Sequence, residues 1–238
     1  MTAPSDSSQN RWPARAPAAT PGIDDPEVES RAAERVLFFS DAVVAIAITL
    51  LALALPLPAS TLKLHITDST TNGQLLHALA SNWRDYLAFL ISFLVIGNYW
   101  AGHRRLFRYV SRLNPQVTWL NMIWIMMMVL TPFATRIVTG LGGFGVRFTI
   151  YAVVQVIAAA CLMLMSRELV RRDLLRPNAP ESARHQGNAR NLAIIVVFLI
   201  SIPVAFAAVA WAFVLWVAVP WLTRALRLLR EHGVARHG

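Results

Sequence analysis

Residues 35–57, RVLFFSDAVVAIAITLLALALPL, limit what this chain can become more than any other stretch. After Asp41 the only polar side chain in it is that of Thr49. A helix of about 20 apolar residues crosses the roughly 30 Å hydrocarbon core of a bilayer, and this run meets that length before it stops at Pro56-Leu57-Pro58. Its ionic residues, Arg35 and Asp41, stand at the front. A membrane helix with an ionic pair at its mouth and almost nothing polar behind it needs explaining.

Similar runs follow at 83–106, 117–139 and 146–169, and a last apolar region covers 191–222. At about 1.5 Å rise per residue the last region would reach well over 40 Å, too long for one crossing. It divides into two short helices with a tight turn near 205–209; Pro203 alone would more often kink a membrane helix than end it. The chain therefore reads as an all-α polytopic membrane protein with six transmembrane helices per protomer. A hydrophobic fraction of 56% supports this, because a soluble domain of this size would not be so apolar. A membrane β-barrel needs alternating segments of about ten residues, and the sequence has none.

Residues 1–30 are rich in Pro, Ala, Ser and charge and cannot bury a core, so they read as a disordered cytoplasmic tail. The six-helix transmembrane domain is expected over 31–230, with a short cytoplasmic tail at 231–238. Cys161, the single cysteine, sits in an apolar run and reads as packing. The net charge of +9 does not call for nucleic acid, because the basic residues cluster at the ends of the apolar runs. Six spans leave Lys63, Arg84, Arg136 and Arg147 on one side and the other 18 of the 22 basic residues on the opposite side. The positive-inside rule then puts both termini in the cytoplasm.

Ionisable side chains within a membrane are costly and often functional. Here Arg35, Asp41 and His103 lie near the cytoplasmic helix ends, and the helix centres carry no Asp, Glu, Lys or Arg. Six residues separate Arg35 from Asp41, about 240° around a helix, so the two cannot pair on one face. Asp41 must find partners on neighbouring helices, and Trp100, His103 and Asn121 are the candidates. A structural latch and a role in conduction both fit such a cluster. GLGGFG at 140–145 matches G-x-G-x-x-G, but a transmembrane helix precedes it where a dinucleotide site needs a strand. It reads as a flexible extracellular turn. The other histidines are scattered without metal-like spacing. No nucleophile, base and orienting group converge, so neither enzyme chemistry nor a cofactor is expected.

Ile46, Leu50 and Leu53 follow i, i+4, i+7 spacing, with Thr49 beside them. Such a stripe can face lipid or pack in a core, or it can line a pore that gates by dewetting. Spacing does not separate these.

The residues Arg35, Phe39, Ser40 and Asp41 spell R-x-x-x-F-S-D, and FSDAVVAIAITLL resembles the first helix of short bacterial relatives of the endosomal and lysosomal potassium channel called transmembrane protein 175. YWAGHRRLF (Trp100, His103, Arg104), WLNMIW (Asn121) and LTPFAT (Pro132) continue the likeness over all six expected helices, with the N-terminal tail outside it. The resemblance implies a homotetramer around one central pore lined by helix 1, in a bacterial inner membrane. It implies a passive, potassium-preferring cation channel, other monovalent cations passing weakly, with potassium only transient in the pore and no tightly bound metal. Ile46 matches the narrowest constriction, Leu50 and Leu53 stand one and two turns further out, and Thr49 matches a hydroxyl tied to selectivity. Ala45 stands where some members have Ser, so weak selectivity is expected. Arg35, Phe39, Ser40 and Asp41, with Trp100, His103 and Asn121, match the network anchoring helix 1. A proton-leak pathway or secondary transporter using His103 and Asp41, or a non-conducting scaffold bound to membrane lipids, are the competing readings.

Overall fold

The computed structural model describes residues 26–56, 72–179 and 181–207. Among them the chain forms helices α1 (Pro26–Leu53), α2 (Asn72–Ser81), α3 (Trp83–Phe107), α4 (Pro115–Thr139), α5 (Phe144–Arg171) and α6 (Glu181–Ala207). Four of these, α1, α3, α4 and α5, contain stretches long and apolar enough to cross a membrane; the apolar part of α6, Arg190–Phe206, is shorter. An all-helical membrane protein is thus what the described residues form.

Several boundaries differ from the sequence reading. Helix α1 starts at Pro26, inside the stretch read as tail, and Glu29 near its start pairs with Arg112 at 3.0 Å. It ends at Leu53, where Pro56 has no N–H to continue the ladder. Helix α2 was not expected; its ten residues precede α3 directly. Helix α6 takes in the polar residues 181–190 that precede the last apolar region, and runs unbroken past Pro203 to Ala207. The turn expected near 205–209 therefore does not begin before residue 207, and the sixth expected helix lies outside the described residues.

Local chemistry sets the helix ends. Asn114 caps α4 by accepting the Val117 N–H at 2.7 Å, and Pro115 fills the first turn, where its missing N–H costs nothing. Where α4 ends, Arg147 reaches back from α5 and donates to the carbonyls of Val138 (2.7 Å), Gly140 and Gly142 (3.0 Å). The GLGGFG turn is therefore pinned by a guanidinium. Gly142 within it takes a φ of +102°, which suits glycine.

Packing is closest along α4–α5–α6, while α1 lies against α3 and α4. Lipid tails are as apolar as leucine, so helix association in a membrane relies on close van der Waals contact, which small residues allow. Helix α5 buries Gly145, Ala152, Ala158 and Ala159. A Cβ at Gly145 would run into the Phe206 ring of α6. The pairs Glu29–Arg112, Asp41–Trp100 and Asn114–Glu168 bring the start of α1, the end of α3, the start of α4 and the end of α5 to one end of the bundle. That is the arginine-rich end; Arg84, Arg136 and Arg147 belong to the opposite one.

Candidate functional site

Helix α1 has two unlike faces. One is buried: Ala33, Ser40, Val44, Ala47 and Leu51 meet α3 and α4. The other is open, with Ile46 57% exposed, Leu50 44% and Leu53 81%. Thr49 is exposed beside them, and its hydroxyl donates to the Ile46 carbonyl at 2.8 Å. With its proton used inside the helix, the oxygen presents lone pairs outward. The stripe is thus not core within the protomer.

The polar residues at the front of α1 are held from two sides. Trp100 Nε1 donates to Asp41 Oδ1 at 2.8 Å, and Arg104 Nε lies 3.8 Å from Asp41 Oδ2. The Arg104 guanidinium also sits over the Trp100 ring, 5.2 Å from its centroid. Asn121 Nδ2 donates to Ser40 Oγ at 3.1 Å, and Ser40 donates to the Val36 carbonyl at 2.8 Å. His103 Nε2 lies 2.8 Å from Asn121 Oδ1. Because the Asn121 oxygen can only accept, His103 carries its proton on Nε2. The imidazole is fully buried, stacked at 4.2 Å on Phe107 and at 4.3 Å on Trp124.

The expected partners of Asp41 therefore divide. Trp100 reaches Asp41, whereas His103 and Asn121 serve Ser40. Successive residues on a helix point about 100° apart, so Asp41 addresses α3 while Ser40 addresses α4. Arg104 was missed as a partner; the signal was its i+4 spacing from Trp100, which puts both on one face of α3. Within this chain Arg35 and Phe39 stay outside the network: both are exposed, and Arg35 has no ion-pair partner among the described residues.

A second polar cluster escaped the sequence reading because it carries no charge. Thr135 Oγ1 lies 2.8 Å from Ser92 Oγ and 2.8 Å from the Thr131 carbonyl. Ser92 meets the Tyr151 hydroxyl at 3.2 Å, and Gln155 Nε2 donates to Thr131 Oγ1 at 3.3 Å. Tyr99 donates to the Gln155 carbonyl at 2.8 Å. All six residues are buried, and together they tie α3, α4 and α5 to one another. Among the described residues no group of three or more His, Cys, Asp or Glu could hold a metal ion.

The anchor and the open face both lie in the part of the chain that known proteins match. The family model described as endosomal/lysosomal potassium channel TMEM175 matches residues 35–132. A solved homologue of that channel from Chamaesiphon minutus, titled a lysosomal potassium-selective channel TMEM175 homolog, superposes with a TM-score of 0.64 at 25% identity. The superposition covers 83% of this chain and 98% of that one. Over residues 35–132 the chain is similar to the TMEM175 family. A potassium channel of Streptomyces collinus is 36% identical over 101 residues, covering 42% of this chain and 45% of that protein. One from Chamaesiphon minutus is 36% identical over 103 residues, 43% of this chain and 47% of its own length. The chain thus spans about half the length of these curated relatives. They and the family are named as potassium channels, not enzymes. The family match ends at Pro132, short of α5 and α6, so the likeness there is carried by the fold.

Proposed function

We propose that this chain is a potassium-preferring cation channel, conducting passively through a pore made by the α1 helices of four copies. The observation that carries the reading is the division of α1 into an anchored face and an open one. Asp41 and Ser40 fix the helix from behind, and the stripe of Ile46, Leu50 and Leu53 is left facing outward. Four such stripes turned to a common axis make an apolar constriction. A bare cation in hydrocarbon is prohibitively costly, so the ring passes ions only when wide enough to stay wet. Thr49 adds four hydroxyl oxygens to that axis, each with its proton already used by the Ile46 carbonyl. Neutral acceptors of this kind can replace part of a cation's hydration shell, giving weak preference without a dedicated filter.

The proton-pathway reading draws less support, because His103 is sealed behind α1 between two aromatic rings. The sorting of arginines to one end supports cytoplasmic termini in a bacterial inner membrane. The test is purified protein in liposomes with a potassium gradient as the only driving force. Flux in wild type that rises in Ile46→Asn supports the channel; no flux from well-assembled protein contradicts it.

A further inference from the structure

The loop after α3 and the loop after α5 are stitched to each other, although 63 residues separate their bonded positions. Ser111 N–H and Ser111 Oγ both donate to the Leu174 carbonyl at 2.9 Å, and Arg176 N–H donates to the Tyr109 carbonyl at 2.8 Å. Val110 and Leu175 form the antiparallel bridge at the centre, and both are buried. Side chains alternate along such a pairing, so with Val110 and Leu175 turned into the core their neighbours Tyr109 and Arg176 point the other way, Tyr109 still resting against the edge of the core. Arg108 is exposed, and Tyr109 and Arg176 are half-buried. Arg105, one turn back on α3, is exposed too.

Charge at this end is unbalanced. Glu29, Asp41 and Glu168 are already engaged by Arg112, by Arg104 and by Arg171 with Arg172. Among side chains described here, Glu34 and Asp173 remain against Arg35, Arg105, Arg108, Arg167 and Arg176, none of which is in an ion pair. The clamp also sits where apolar membrane-length helices end, at the level of lipid headgroups.

We infer that the clamped loops form a binding site for an anionic phospholipid, with Arg108 and Arg176, aided by Arg105, holding its phosphate and Tyr109 lying at the interface. Arginine suits this role because its planar fork donates two parallel hydrogen bonds to phosphate. The backbone bond from Arg176 to Tyr109 brings Arg176 next to the residue that follows Arg108, so both arginines come from one chain and the site needs no partner. It does not depend on the channel reading, only on the chain lying in a membrane.

Native mass spectrometry of the whole protein, extracted from bilayers with equal phosphatidylglycerol and phosphatidylcholine, tests this. Wild type is expected to retain phosphatidylglycerol preferentially. The double variant Arg108→Gln/Arg176→Gln should lose at least about tenfold in retention, since each surface arginine contributes roughly fivefold toward anionic lipid. Arg84→Gln, at the opposite end, should behave as wild type. Arg108→Lys/Arg176→Lys should keep a clear part of the retention, which guards against reading misfolding as loss of the site. Equal retention of both lipids, or unchanged retention in the double Gln variant, overturns the inference. Displacement of the lipid by millimolar inorganic phosphate also overturns it, because the site would then take a free anion.

Discussion

The outward faces of α1 and α4 are both apolar and open, yet they differ in kind. Helix α4 presents Trp119, Met126 (52% exposed) and Phe133 (61%), large and adaptable side chains with no hydroxyl among them. Helix α1 presents Ala42, Ala45, Ile46, Thr49 and Leu50, small or aliphatic along its middle, with one hydroxyl. A lipid-facing surface gains nothing from a mid-helix threonine, and bulky aromatics suit contact with acyl chains and headgroups. Exposure alone therefore does not distinguish a pore face from a lipid face. On the channel reading proposed above, what marks α1 is the Thr49 hydroxyl and the polar anchor directly behind the helix, because α1 also exposes Phe38 and Phe39 and α4 also exposes Val129 and Leu130.

That contrast breaks most sharply under polar substitution. Ile46→Asn should raise liposomal potassium leak by roughly tenfold or more by wetting the constriction. Met126→Asn should leave flux per assembled protein within about twofold of wild type, since no ion would pass that face. Equal effects in gradient-driven flux would erase the distinction between the helices.

The anchor comes next in size. Asn121→Leu strips Ser40 and His103 of a buried partner each, and an unsatisfied buried polar group costs about 1–3 kcal/mol. A clear drop in the detergent unfolding midpoint is expected, with less assembled protein on size exclusion. Asp41→Ala should act in the same direction but less, because Arg104 is half exposed and can turn to water. In both variants, assembly should fall more than the potassium-to-sodium ratio of whatever still assembles. The smallest effect belongs to Thr49→Val. It removes a hydroxyl bonded only to its own helix, so stability should hold while the potassium-to-sodium flux ratio falls by about twofold.

Much of this was legible in the sequence because a bilayer imposes simple lengths. The cores of α1, α3, α4 and α5 lay within the apolar runs, and Trp83 and Thr139 matched as ends. Asp41's need for partners on other helices followed from the cost of burying a charge, and Trp100 was among those named. What stayed hidden depended on rotation about the helix axis. Ser40 and Asp41 are adjacent in sequence, and only the direction each points assigns one to Asn121 and the other to Trp100 and Arg104. Neutral groups were the other blind spot: Ser92, Thr131, Thr135 and Gln155 scarcely interrupt an apolar run, yet they tie α3, α4 and α5 together. The start of α6 was misjudged for the opposite reason, since residues 181–190 are too polar to read as membrane helix.

The central claim is most directly tested by Ile46→Cys in a Cys161→Ala background, reconstituted and exposed to a thiol oxidant and to cadmium. Four α1 helices around one axis bring the introduced thiols within disulfide reach, so covalent dimers and cadmium block of potassium flux are expected. Thiols that neither cross-link nor bind cadmium, but react readily with a lipid-soluble reagent, would put Ile46 against acyl chains and contradict the account.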